Sequence, residues 1–561
     1  MKKVFLYSWP GIIIGAIGSV AFITIDYVRK GFEEAGTIFN YRLEFRPDYF
    51  DLLDLRILLI CMAAGYILVF FIHLKQYSKG QRDFSLSGKK NVTDLSADKK
   101  LAQDHPIPKK YLSKKPDGLT VGKKGRKYVR VPFDDSPKHQ LILGSPGSGK
   151  STTLLNALLW NFNFEDKKKR LCSVLAIDVK PELQKKSSYK EDPSIRIIDP
   201  TSSDEDDPYN FGFDLWYGLT PEGNQDKIKE RSELIARAII PNLSGDNAHF
   251  SINAQKLLSG FLMYGFVKRL SFADTITKIM SVSVEDFIAE ILTDPLMRNF
   301  EKIVNKVRVF EGNNSNEMAS IKDTMEKDLN IFDTESVKYC FSGNRNKITP
   351  EHIANGKSVF LTVPDHLLTT YKTVFGLIME LSLNYLMSIP EEKLKKRNPI
   401  WCLIDEGGTV YVPCLEDVAA RGRSKKIQLS LIVQSFAQLE SLYGSETART
   451  FLDCSKTTIV FSCNDNKTAD MISKWCGYYR ETKYAYSNNP STYSQSTNSS
   501  VEYRPVMDIS DIKNLERNEE VLVFVNGDWF KVDKAPYYTI KPLSERSDQI
   551  ISHNLSSREF I

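Results

Sequence analysis

Apolar residues follow three different periods along this chain, and each predicts a different kind of element. Residues 8–27 and 55–74 are apolar almost throughout. Each stretch is about 20 residues long, enough to cross the roughly 30 Å hydrocarbon core of a bilayer, so both are expected to be transmembrane helices. A signal peptide is the competing reading of the first, but no clear small-residue cleavage site follows it and a second span does. Further along, short β-branched runs predict strands at 141–143, 173–178, 195–198, 358–363, 400–405, 429–434, 458–461 and 520–525. Helical spacing fills most of the intervals. It takes over entirely between about residues 220 and 333, as in 227–240, 251–269 and 284–292.

Short apolar runs separated by helices describe an α/β core, a mainly parallel sheet with helices on both faces, here interrupted by an all-α insertion. The expected organisation is a transmembrane domain over 1–80 and a basic cytosolic linker over 81–130. A nucleotide-binding domain follows in two parts, 131–219 and 334–545, split by the all-α domain at 220–333, and 546–561 form a C-terminal tail. Residues 484–500, rich in Ser, Asn, Thr and Tyr, read as a mobile loop. At 561 residues the chain is too long for one compact domain.

Charge orients the spans. Lys2 and Lys3 precede the first and Lys75, Lys79 and Arg82 follow the second, whereas the intervening loop carries Glu33, Glu34, Glu44 and Asp48. The positive-inside rule places both termini in the cytoplasm and exports only residues 28–54. The overall charge of +5 does not mark a nucleic-acid binder, so any basic surface is local. One candidate is 75–130, with Lys109, Lys110, Lys123, Lys124, Arg126 and Lys127, which suits anionic lipid, a nucleic-acid backbone or a solvated linker equally. The eight cysteines show no metal-ligand spacing and read as reduced, mostly buried thiols.

The candidate chemistry begins where the 141–143 strand ends. Gly144, Ser145, Pro146, Gly147, Ser148, Gly149, Lys150 and Ser151 complete a G-x-x-x-x-G-K-[ST] phosphate loop, and Thr152 continues into an apolar helix. Glycines let backbone N–H groups converge on phosphates, Lys150 reaches the β/γ oxygens and the Ser151 hydroxyl holds Mg²⁺. ATP with Mg²⁺ is the expected ligand. The strand at 400–405 ends in Asp405-Glu406, the first acid suited to Mg²⁺ and the second to polarising water. Gln434, at another strand end, is placed to sense a γ-phosphate, and Arg421 and Arg423 are candidates for a transition-state arginine.

Together these features resemble the type IV secretion coupling proteins, the TraD/TraG kind of conjugative ATPase. The segments that carry the resemblance are Gly118-Leu119-Thr120-Val121-Gly122 ahead of the phosphate-loop strand and the strand exit Asp178-Val179-Lys180-Pro181-Glu182-Leu183. Most specific is Gln434-Ser435-Phe436-Ala437-Gln438-Leu439 followed by Leu442-Tyr443-Gly444. The resemblance implies a RecA-like phosphate-loop NTPase core with an inserted all-α domain and an N-terminal two-helix transmembrane segment in the bacterial inner membrane. It also implies a homo-hexamer with active sites between subunits. Lys150, Glu406, Arg423 and Gln434 then carry catalysis, and Ser151 and Asp405 the metal. Arg421 rivals Arg423, because Ser424-Lys425-Lys426 departs from the small turn usual after that arginine. The implied partners are the secretion channel, a relaxase or relaxosome with single-stranded DNA, and effector proteins. An FtsK-like DNA translocase and a nucleotide-binding membrane scaffold are the alternatives. No module resembling a winged-helix DNA reader follows the last strand, and intact Lys150, Asp405 and Glu406 speak against a scaffold.

Overall fold

In a computed structural model, residues 102–116, 118–131, 139–162, 172–204, 206–242, 248–312, 314–342, 345–395, 397–489 and 494–556 are described, with 59–68 and a few single positions before 102. The chain divides into two compact units, one of 1–101 with 481–502 and the other of 102–480 with 503–561. In the first unit, residues 59–68 are helical. The expected spans 8–27 and 55–74 otherwise lie outside the described residues, apart from single positions. Among the described residues no helix is long and apolar enough to cross a membrane.

The second unit is built on one twelve-stranded sheet. Its strands are β1 (Leu112–Ser113), β2 (Leu119–Lys124), β3 (Lys127–Val131), β4 (His139–Leu143), β5 (Ser173–Val179), β6 (Ile195–Ile198), β9 (Ser358–Val363), β10 (Ile400–Ile404), β11 (Ile427–Val433), β12 (Ser455–Val460), β15 (Glu520–Val525) and β16 (Asp528–Asp533). Two small sheets take β7 (Gly212–Phe213) with β8 (Lys347–Ile348), and β13 (Tyr478–Asn489) with β14 (Ser494–Pro505). The large sheet runs β1-β3-β2-β16-β15-β12-β4-β11-β10-β5-β9-β6. From β12 to β6 every pairing is parallel, and from β1 to β12 every pairing is antiparallel.

Burial explains the parallel half. In β4, β5, β9, β10 and β11 every residue is buried. Successive side chains point to opposite faces, so such strands need apolar cover on both sides. Ile142, Val174, Trp401 and Ile432 join one core cluster, with α1 (Lys150–Asn161) packed there. Leu141, Leu175, Cys402 and Leu431 join the other. This is a RecA-like α/β core with helices on both faces. A buried polar chain crosses its centre: Trp401 Nε1 donates to Ser430 Oγ at 2.8 Å, and Ser430 Oγ donates to Gln140 Oε1 at 2.8 Å.

After β5 comes α2 (Glu182–Ser187). Between β7 and β8 the regular elements are all helical: α3 (Gln225–Ile239), α4 (Ala248–Val267), α5 (Phe272–Ser281), α6 (Val284–Thr293), α7 (Glu301–Arg308), α8 (Ser315–Leu329) and α9 (Glu335–Ser342), with short 3₁₀ turns. Side-chain caps start several of them, as at Asn224, Ser271 and Ser283. Later come α10 (Leu368–Ser388), α11 (Leu415–Arg421), α12 (Phe436–Tyr443) and α13 (Lys541–Ser556).

Three expectations need correction. Residues 112–113 and 119–130, assigned to a basic linker, fall in β1, β2, β3 and the β2–β3 turn at the sheet edge. Lys123, Lys124, Arg126 and Lys127 are the hairpin tip, while Leu119, Val121, Val129 and Val131 turn inward. Residues 484–500, read as a loop, fall largely in β13 and β14. Thr and Tyr favour extended backbone, and a two-stranded ribbon shows no long apolar run. Residues 546–556 of the expected C-terminal tail belong to α13, which buries Leu543 and Ile550 and ties Asn554 to Lys185 O and Ser188 O at 3.1 and 3.2 Å.

The cysteines among the described residues are free thiols, with Cys172, Cys340, Cys402, Cys463 and Cys476 buried. Burial pushes Cys172 and Cys402 up to about 12, so both are held as neutral thiols.

Candidate active site

The phosphate loop leaves β4 and turns into α1. Gly149, the residue before the helix, has φ 100°, a left-handed conformation that favours glycine. The loop is tied to the strands beside it: Gly144 N donates to Val433 O at 3.1 Å, and Ser145 N donates to Ser462 Oγ at 3.3 Å. Deeper in α1, the buried Asn156 donates to Thr120 O at 3.1 Å and Ala535 O at 2.8 Å, fixing the helix to β2 and to the segment after β16. Thr152 Oγ1 donates to Gly149 O at 2.7 Å, closing the first turn.

Lys150 is only 7% exposed, and its ammonium donates to Gly144 O at 2.6 Å and Ser145 O at 3.0 Å. Burial lowers its pKa, against the opposing pull of Glu406 and Asp405. Asp405, 6% exposed, follows β10, two strands from β4 across β11. Burial, reinforced by Glu406 and Asp178, pushes its carboxyl up to about 7, with Lys150 acting the other way. A divalent cation beside it would favour the ionised form.

Glu406 has φ 60°, and Gly407 N donates back to Ile432 O at 2.7 Å. This turn brings the Glu406 carboxylate against the end of β11, where Gln434 Nε2 donates to its Oε2 at 3.1 Å. Gln438 Oε1 accepts from Gln434 N at 3.1 Å, which holds Gln434 at the strand end. Gly144–Ser151, Asp405, Glu406 and Gln434 therefore meet at the carboxyl ends of three adjacent strands, β4, β11 and β10.

The residues fit a magnesium nucleotide. Ser148 Oγ is buried without a hydrogen-bond partner, and the loop offers N–H groups at the positive end of α1. A hydroxyl (Ser151) and a buried carboxylate (Asp405) are oxygen donors suited to Mg²⁺. Pro146 and Gly147 form the exposed crest of the loop.

Arg421 and Arg423 are not brought to this site. Both stand just before β11, at the opposite, amino-terminal end of the strands. The seven-residue strand separates Arg423 from Gln434 by about 20 Å. Arg421 pairs with Asp417 at 2.7 Å, and both side chains are exposed. Arg423 lies near His139, the first residue of β4, whose pKa falls to about 4 through burial and then the Arg423 charge. Either arginine could serve only a site on another copy of the chain.

Sequence reasoning gave no role to several groups at the same strand ends. Asp178, fully buried, accepts from Leu183 N at 3.0 Å and Gln184 N at 2.8 Å, so it caps α2. Burial pushes it up to about 7 despite those bonds. Ser462 accepts from the phosphate loop and donates to Glu516 at 3.3 Å, and Lys180 and Glu516 both act on the Lys150 charge. Their only signal was position, as polar residues just past an apolar run. Lys302 and Lys306, near the end of the helical insertion, are paired with Asp226 and Glu233.

The fold and the convergence at Lys150 define a phosphate-loop nucleotide-binding protein with a RecA-like core. More narrowly, the chain belongs to the family described as type IV secretory system conjugative DNA transfer, which matches residues 88–558. Among curated proteins it is similar to the type IV secretion system-coupling protein VirD4 of Bartonella quintana, 32% identical over 24% of this chain. It is also similar to the coupling protein TraD of Escherichia coli, 25% identical over 26% of this chain. Each match spans 20% of the relative's length. Among solved structures, the plasmid coupling protein TrwB in complex with ADP and Mg²⁺ shares the fold, with TM-score 0.54 and 18% identity over 76% of this chain and 90% of that one.

Proposed function

We propose that this protein is the membrane-anchored coupling ATPase of a type IV secretion system, hydrolysing ATP to drive conjugative substrates toward the secretion channel. The observation that carries it is the meeting of Lys150, Asp405, Glu406 and Gln434 at neighbouring strand ends, with Gln434 already bonded to Glu406. Solved TrwB complexes with ADP and Mg²⁺ and with a non-hydrolysable ATP analogue support ATP and Mg²⁺ as the ligands.

In this reading Lys150 and the loop N–H groups hold the β- and γ-phosphates, and Ser151 with Asp405 holds the metal. Bound Mg²⁺ supplies neutralisation of the charge on the transferring phosphoryl group. Glu406 orients the attacking water and accepts its proton as the bond to the γ-phosphorus forms and the bond to the ADP oxygen breaks. Gln434 fixes Glu406 and contacts the γ-phosphate. Arg423 reaches the γ-phosphate of a neighbouring subunit, and its place at the opposite ends of the strands from the phosphate loop supports a homo-hexameric ring with shared sites.

Residues 8–27 and 55–74 anchor the chain in the inner membrane with both termini in the cytoplasm. The exposed Leu59, Ile60 and Leu68 of the 59–68 helix support that anchor. The substrates are relaxase-bound single-stranded DNA, effector proteins, or both, delivered to channel components.

ATP turnover of the full chain, measured against protein concentration with and without single-stranded DNA, tests the reading. A steep rise with concentration is expected, with stimulation by DNA if DNA is a substrate, and Lys150→Ala should abolish it. Nucleotide binding without turnover at any concentration would favour a scaffold instead.

A further inference from the structure

The segment that follows Glu406 is held by unusually specific ties, and they come from a helix that also holds Gln434. We propose that α12 is a positioning element for Glu406 and that Tyr443, at its end, is a positioning residue for hydrolysis. The inference rests on the ATPase reading above.

At its start α12 carries Gln438, whose side chain accepts from Gln434 N. At its end the Tyr443 hydroxyl accepts from Val412 N at 3.1 Å and donates to Val410 O at 3.2 Å. Val410 and Val412 are fully buried, so these backbone groups have no ready exchange with water. The Tyr443 ring packs edge-on against Phe451 with centroids 5.1 Å apart, which fixes where the hydroxyl lies.

Two close approaches leave the segment little latitude. A Cβ on Gly408 would lie 2.8 Å from the Gln438 side chain, and one on Gly376 of α10 would lie 2.5 Å from Tyr411 O. Cys414 N donates to Glu380 Oε2 of α10 at 2.7 Å. Residues 407–414 are thus clamped between α12 and α10. On the remaining side Thr409 and Tyr411 border a cleft of about 1040 Å³, shared with Ala238, Thr324 and Asp328 of the helical insertion. Packing is open there, so the course of the segment depends on its polar ties. Thr409 N donates to Glu406 O at 2.9 Å, which passes that course to the catalytic residue.

Tyr443→Phe removes both bonds and keeps the ring. In the full chain its kcat should fall about 10- to 100-fold, as misplacement of a reacting group does, with KM and the dissociation constant for ATP within about twofold of wild type. Gln438→Ala, at the other end of α12, should give the same split and serves if Tyr443→Phe does not fold. Combined with Gln434→Ala, Tyr443→Phe should lower kcat by less than the product of the single effects, because both act through Glu406. An unchanged kcat beside a lowered melting temperature would overturn the proposal, as would a multiplicative double mutant. Absence of turnover in the wild-type chain would instead sink the ATPase reading.

Discussion

Gln434 donates to Glu406 across the ends of β11 and β10 at 3.1 Å, so the two strand-end side chains form one hydrogen-bonded unit. Glu406→Gln should bind ATP with near-normal affinity and lose hydrolysis. Gln434→Ala should lower kcat about 100-fold, the scale of a lost oriented donor. Equilibrium binding of a fluorescent ATP analogue beside steady-state turnover separates the two effects.

Arg421 is paired with Asp417 on its own helix, and the trans-acting role is proposed for Arg423. Arg423→Ala should abolish hydrolysis and spare ATP binding, while Arg421→Ala should leave turnover near wild type. Mixing Arg423→Ala chains with Lys150→Ala chains should restore part of the activity, since some shared sites then combine an intact loop with an intact arginine. Mixtures as inactive as their components would remove the trans-acting role.

Asn156 links α1 to β2 and to the chain after β16, elements distant in sequence. Asn156→Ala leaves the carbonyls of Thr120 and Ala535 without these donors inside the core. The expected cost is about 1–3 kcal/mol. Chemical denaturation should show a lower midpoint with an unchanged slope.

His139 gives stability a pH dependence. Its Nδ1 accepts from Leu429 N at 2.9 Å, and burial, aided by Arg423, lowers its pKa from 6.5 to about 4. Between those values the unfolded chain binds the proton and the folded one does not, so stability is lost as pH falls from about 6.5 to about 4. His139→Gln removes that contribution. The stability difference between wild type and variant should therefore shift against the wild type across this window and stay flat above pH 7.

Every strand expected from an apolar run is present, from β4 through β15, because most of these strands are covered on both faces and are therefore apolar along most of their length. The insertion helices were legible for a related reason: one buried face imposes a 3.6-residue period. The hairpin of β2 and β3 was missed because its apolar residues are few and interleaved with Thr, Gly and Arg, and lysines crowd its turn. The site was legible where chemistry demands particular residues in a row, at Gly144–Ser151 and Asp405-Glu406. Ser462 and Tyr443 were not assigned roles, since each acts through a backbone group far away in sequence, and Asp178 was not because its tie to Leu183 and Gln184 forms only once the chain turns after β5.

Sequence alone determined the phosphate loop, the acid pair, the parallel core and the family, because local chemistry and burial patterns are written in consecutive residues. Only the tertiary structure decided that Gln434 bonds Glu406, that Arg423 stands at the opposite ends of the strands and that Tyr443 bonds the segment after Glu406. Those relations depend on strand order and register, which bring together residues that no local pattern connects.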